Sequence, residues 1–189
     1  NLSRPRSLCS ISVSWLLAAI AVAAGPSPAE STTILQRDGA YEFTVPASGL
    51  VVSIPRGALA PGTIPPWKAN DPDYFMLEDE AQNLIVSGWI VPAQGFSGIR
   101  EFWESETAQW RAMGLPDPQA VSFARYSDWE AVIYGIAFPS GSNTHIRAHW
   151  VQAGTWIDLH LSITTDRPIA ENRAKLKALL KSVSVRLRE

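Results

Sequence analysis

All three histidines of this chain fall in one short stretch: His145, His149 and His160, together with Arg147 and Asp158. Histidine and aspartate can hold zinc at ~2.0–2.2 Å, or pass a proton between them as an acid–base pair. Whether these side chains can meet depends on the register of the hairpin that carries them. If Ala153-Gly154 forms a two-residue turn, Gln152 faces Thr155, His149 faces Asp158, Arg147 faces His160 and His145 faces Ser162. One face then shows Ile146, Ala148, Trp150, Ile157, Leu159 and Leu161, and the other shows His145, Arg147, His149, Asp158 and His160. A slip of one residue would mix polar and apolar side chains on both faces, so the patterning selects this register.

Within it, His149 and Asp158 are the candidate catalytic pair, and His149 and His160 the candidate metal ligands. His145 and His149 are four strand residues apart, about 13 Å at ~3.3 Å per residue. His160 can therefore pair diagonally with one of them but not with both around one ion. Arg147 also places a permanent positive charge among the would-be ligands. A polar face that is solvated or covered by a helix accounts for the same residues, and the spacing favours it.

Other chemistries are weaker. Gly95-Phe96-Ser97-Gly98 precedes a helix but lacks the spacing of the serine-hydrolase elbow, and Ser97 reads as a helix cap. Glu78-Asp79-Glu80 lacks the alternating ligands of a calcium loop. No phosphate-cradling Gly-Lys-Ser/Thr loop and no dinucleotide glycine fingerprint is present. A pI of about 5.9 argues against nucleic acid as a partner. No cofactor and no nucleotide is expected.

Tryptophan is the other resource, with eight in the chain. Exposed indoles anchor interfaces and stack on rings. Trp103, Trp110 and Trp150 fall on apolar stripes and read as core. Trp67 differs, since it stands in the proline-rich run Pro65-Pro66-Trp67-Lys68, and Trp156 lies on the polar hairpin face. With Arg147 these two are the candidate binding residues.

The elements that must position these groups begin after an address. Arg4 and Arg6 precede an apolar stretch, Ile11 to Ala24, and Ala21-Val22-Ala23 offers small residues for cleavage, the layout of a secretory signal peptide. Residues 1–24 are so assigned, with cleavage as late as Ala29. Residues 25–39 are expected to be a mobile leader, and residues 40–189 one domain. Cleavage would remove Arg4 and Arg6 but no acid, taking the formal charge from −2 to −4. It would also remove Cys9, the one cysteine, which excludes disulfides and thiolate chemistry from the mature domain. No integral membrane segment is expected after cleavage.

Alternating residues predict a hairpin over Tyr41–Val45 and Leu50–Ile54, and a second strand pair over Tyr74–Leu77 and Leu84–Val91. The five prolines of Pro55–Asp73 predict a long loop between them. A helix is expected from about Ile99 to Met113, with Ile99, Phe102, Trp103, Trp110 and Met113 inward and Glu101, Glu104, Glu106 and Arg111 largely outward. Val121, Phe123 and Arg125 should face Tyr134, Val132 and Glu130 across Ser127-Asp128. The histidine hairpin follows. A closing helix carries Ile169, Leu176, Leu179, Leu180 and Val183 on one stripe. Strands in hairpin order with two helices predict an α+β fold, an antiparallel sheet packed between helices.

Tyr41-Glu42-Phe43-x-Val45-Pro46, Val91-Pro92, Ile99-Arg100-Glu101-Phe102-Trp103, Gly154-Thr155-Trp156-Ile157-Asp158-Leu159 and Leu179-Leu180-Lys181-Ser182-Val183-Ser184-Val185 follow one another in an order that resembles the PsbP-like superfamily over Ala40 to Arg186. That superfamily includes a photosystem lumenal subunit, a Ran-release factor and bacterial envelope proteins. The resemblance implies an α/β/α sandwich and an accessory or interaction protein, and it transfers no site residue. The expected function is thus that of an exported bacterial envelope protein, periplasmic or secreted and non-enzymatic, that binds a protein or other envelope component. The alternatives are a small envelope enzyme or metal-binding protein using His149, Asp158 and His160, and a small-ligand carrier using a cleft between sheet and helix.

Overall fold

The computed structural model describes residues 32–138 and 141–188. The expected signal segment and residues 25–31 of the expected leader lie outside the described residues. In chain order the strands are β1 (Thr33–Arg37), β2 (Ala40–Val45), β3 (Leu50–Pro55), β4 (Ala60–Pro61), β5 (Tyr74–Asp79), β6 (Leu84–Pro92), β7 (Gln119–Tyr126), β8 (Trp129–Phe138), β9 (Gly141–Gln152), β10 (Thr155–Thr165) and β11 (Ser184–Leu187). Helix α1 (Ile99–Ala112) lies between β6 and β7, and α2 (Ile169–Ser182) between β10 and β11.

The strands form two antiparallel sheets rather than the single one expected. Seven strands in the order β4-β5-β6-β10-β9-β8-β7 make the larger, and β1-β2-β3-β11 the smaller. The fold is α+β. Alternation explains the division of labour. Tyr41, Phe43 and Val45 turn one face of β2 inward, and Phe43 meets Phe75 of the large sheet at 4.3 Å between ring centroids. Leu50, Ile54, Leu176 and Leu180 share this core with Ile133, Ile146, Ile157, Leu159 and Leu161, so α2 and the small sheet together cover one face of the large sheet. Side chains of opposite parity on the same strands, Val132 and Tyr134, pack instead against Ile99 and Trp103 of α1.

α1 owes its course to topology. β6 is internal, paired with β5 and β10, yet the next strand is β7 at the far edge. The connection has to cross the face, and it does so as a helix. Gly98, with φ of 107°, occupies the cap position and no side chain caps the helix, so Ser97 is not the cap that its position suggested. Only glycine adopts that backbone without strain. Met113 is exposed beyond the helix end.

Three further expectations are corrected. Thr33–Arg37, placed in the leader, is a strand registered on β2 from Thr33↔Thr44 to Arg37↔Ala40. The loop from Pro55 to Asp73 is ordered: it contains β4 and a 3-10 turn, Pro66–Lys68, and Tyr41 Oη donates to Leu59 O at 3.1 Å. Phe123↔Val132 and Arg125↔Glu130 pair as expected, but a bulge between Gln119 and Ser122 displaces Val121 from Tyr134. Ala120, with φ of 51°, absorbs the extra residue.

Gly88 of β6 lies so close to β10 that a Cβ there would fall deep inside contact distance of the Asp158 carbonyl oxygen. Gly88→Ala is expected to destabilise the protein by about 2 kcal/mol or more. Gly135→Ala should be milder, since its Cβ would press only on the Ile169 side chain, at 2.5 Å. Urea unfolding of both variants checks the order.

Candidate functional site

The histidine hairpin is β9–β10, and its register agrees with the expectation pair by pair: Gln152↔Thr155, His149↔Asp158, Arg147↔His160 and His145↔Ser162. Its polar face is roofed by α1. β6 extends that face on one side through Trp89↔Asp158 and Ser87↔His160, and β8 on the other through Tyr134↔His145 and Val132↔Arg147.

At the centre Arg147 and Asp158 form a two-pronged ion pair. Arg147 Nε donates to Asp158 Oδ1 and Nη2 to Oδ2, both at 2.6 Å, with side-chain exposures of 11% and 5%. His149 Nε2 lies 3.2 Å from the same Oδ1, and its ring is fully enclosed. Burial alone would raise the Asp158 carboxyl, but Arg147 and His149 outweigh it and hold it below its usual range. Burial likewise opposes the charge on Arg147, and Asp158 more than restores it. Aromatic rings surround the pair. The guanidinium sits 5.3 Å from the Trp89 ring centroid and 5.0 Å from that of Phe102. Phe96, Phe102 and Trp156 set their rings edge-on to His149 at 5.4, 4.6 and 5.1 Å.

Beside the pair, Tyr134, His145 and His160 form a stack, with centroids at 4.6 and 5.1 Å and planes within 11° and 10°. His145 Nδ1 and His160 Nε2 are 3.0 Å apart. A hydrogen bond between two imidazoles needs one nitrogen bare, so the pair is incompatible with two full charges. Burial, reinforced by Arg147, lowers His145 to about 4 and takes His160 well below its ordinary value. Burial raises Glu106 of α1 in spite of Arg147, and it raises the Tyr134 phenol too, helped by Glu106.

At one margin of this network a cleft of about 290 Å³ opens, lined by Trp89, Val91, Arg147, Trp156 and Asp158. The proline-rich loop is pinned to the same wall. Trp89 Nε1 donates to Asp71 Oδ2 at 2.7 Å, Lys68 Nζ lies 4.4 Å from the Trp89 centroid, and the Tyr74 ring packs at 4.8 Å. Trp67, next to Lys68, is 81% exposed.

The candidates thus separate. His149, Asp158 and Arg147 come together, as a closed ion-pair cluster. His160 pairs diagonally with His145 and stands apart from His149's contact with Asp158. Trp156 lines the cleft, and Trp67 projects from a loop anchored on that cleft's wall. Among the described residues no group of three or more His, Cys, Asp or Glu side chains is placed to hold a metal ion. Patterning missed Trp89, Tyr134 and Glu106. Glu106 was expected on the outer side of α1, but it follows Phe102 by four residues and Trp103 by three, and that spacing was the signal that it shares their face.

No protein-family model matches this chain, and no curated protein matches it. Among solved structures it is similar to a protein of Bacteroides thetaiotaomicron VPI-5482, at 8% identity and a TM-score of 0.46, over 78% of this chain. The chain spans about half of that protein's length, 48%. No helix among the described residues is long and apolar enough to cross a membrane.

Two outcomes follow from the geometry. Asp158→Asn leaves a buried guanidinium without its counter-ion and is expected to cost about 3–5 kcal/mol. The double variant Arg147→Met/Asp158→Leu should recover much of that loss in urea unfolding. The second outcome concerns pH. Between pH 6.5 and about 4 the unfolded chain holds a proton on His145 that the folded protein does not, so stability falls as pH drops through that window. His160 acts in the same sense, and Glu106, protonated more readily when folded, acts against it. Asp158 adds its loss only below 3.8, its ordinary value. His145→Phe keeps the stack, removes the titration and should flatten the curve of unfolding free energy against pH between 6.5 and 4.

Proposed function

We propose that this protein is an exported bacterial accessory protein of the cell envelope, a non-enzymatic PsbP-like domain that binds a protein or other envelope component. The surface is the cleft rimmed by Trp89 and Trp156 together with the loop that presents Trp67. The observation that carries this reading is Trp67 itself, a large indole left in solvent on a loop held by the Lys68 and Asp71 contacts to Trp89. Interface hot spots favour rigid aromatic side chains of this kind. Export is supported by the basic and apolar pattern of the first residues, and the PsbP-like sandwich by the helices on opposite faces of the large sheet.

The enzyme or metal reading of His149, Asp158 and His160 meets a physical objection. Both oxygens of Asp158 are taken by Arg147, and the His149 ring is enclosed, so neither reaches a substrate or a metal without taking the ion pair apart. Small-ligand carriage has a cleft in its favour, but one lined by residues of β6, β9 and β10 alone and not by a helix.

Pull-down from envelope extract with wild type and Trp67→Ala checks the binding reading. A partner held by wild type should be lost from the variant, whose melting temperature should match wild type because the side chain touches little of the core. Identical partners for the two would remove Trp67 from the proposal.

A further inference from the structure

The cleft has a chemistry of its own. At about 290 Å³ it lies just under the ~300–1,000 Å³ of ordinary ligand pockets, room for one ring rather than an extended molecule. Its walls are flat and fixed before anything binds. Trp156 is set by ring contacts to Phe96 and His149 at 5.2 and 5.1 Å, and Trp89 by Asp71, Lys68 and Tyr74. Walls held in this way lose little freedom on binding. The floor carries two charges that cancel, since Arg147 and Asp158 engage each other at both prongs. An ionised ligand entering here would shed its water and find no free counter-charge. An alkyl group would gain only buried area. An aromatic ring gains in addition the offset and edge contacts that indoles favour.

From these features we infer that the cleft between Trp89 and Trp156 is a binding site for a neutral aromatic ring, supplied by a free aromatic compound or by a tyrosine or phenylalanine side chain. This rests on the binding reading of the same surface and adds the chemistry of what enters it.

Nitrogen-15 NMR of the folded chain tests the assignment through the indole N–H signals of Trp89 and Trp156. The probes are p-cresol, its charged counterpart p-toluate, isoamyl alcohol, and the peptide Gly-Gly-Tyr-Gly-Gly. p-Cresol should shift both indole signals with a roughly millimolar midpoint, as suits a one-ring ligand. p-Toluate and isoamyl alcohol should need roughly tenfold more. Trp156→Leu should abolish the response, and Val91→Phe, which fills the cleft and leaves both indoles in place, should do the same if the first variant folds poorly. A peptide response stronger than that of p-cresol assigns the ring to a polypeptide, and an equal or weaker one assigns it to a free compound. If no aromatic probe moves either indole, or isoamyl alcohol moves them as readily, the assignment is overturned. Trp67→Ala should keep the p-cresol response, so loss of the pull-down partner without loss of ring binding, or the reverse, shows which of the two readings has failed.

Discussion

A guanidinium and a carboxylate buried together set the terms for much of this molecule. Arg147 and Asp158 lie on adjacent central strands of the large sheet, and neither charge tolerates burial alone. Each satisfies the other at two points, and the remaining solvation is replaced by polarisable rings: Trp89 and Phe102 against the guanidinium, with Phe96, Phe102 and Trp156 around the histidine that touches the carboxylate. That jacket comes from β6, β10 and the α1 region, so the pair holds the helix and the sheet in one arrangement. The imidazole stack beside it is held neutral chiefly by burial, and the positive charge of Arg147 reinforces that.

The jacket also closes the inner part of this face to solvent. A histidine and an aspartate facing each other across two strands look like catalytic parts, but here both serve the ion pair. What remains open to solvent is the outer margin, where Trp89 and Trp156 show part of their rings. The proline-rich loop leans on that margin through Lys68 and Asp71. Lys68 and Asp71, far in sequence from Trp156, thus reach the cleft it lines through their contacts with Trp89.

Much of this was legible in the sequence where polarity alternates on both partners of a strand pair. The β9–β10 register follows residue by residue from such contrast, and so does Arg125 opposite Glu130. It fails where contrast is missing. All five residues of β1 are exposed, so no alternation marked it as a strand, and β11 is short and lies mostly in solvent. The split into two sheets was hidden as well, because the buried residues of β2 and β3 do not say which layer the strands join. Glu106 was misplaced for a different reason. A carboxylate on a helix reads as solvent-facing until a buried cation such as Arg147 is known to act on it, and the two are some forty residues apart in the chain. The cap at Gly98 and the bulge at Ala120 are backbone events, and side-chain patterning does not register them.

The order of the strands also bears on how the chain comes to be folded. The large sheet is closed by β10 lying between β9 and β6, and the small sheet is completed by β11 against β3. Both closing strands come from the last quarter of the chain, so no early segment can finish a sheet by itself. Such distant pairings carry a loop-closure entropy that short hairpins avoid, and they slow folding. A chain built this way cannot complete either sheet until β10 and β11 have been made.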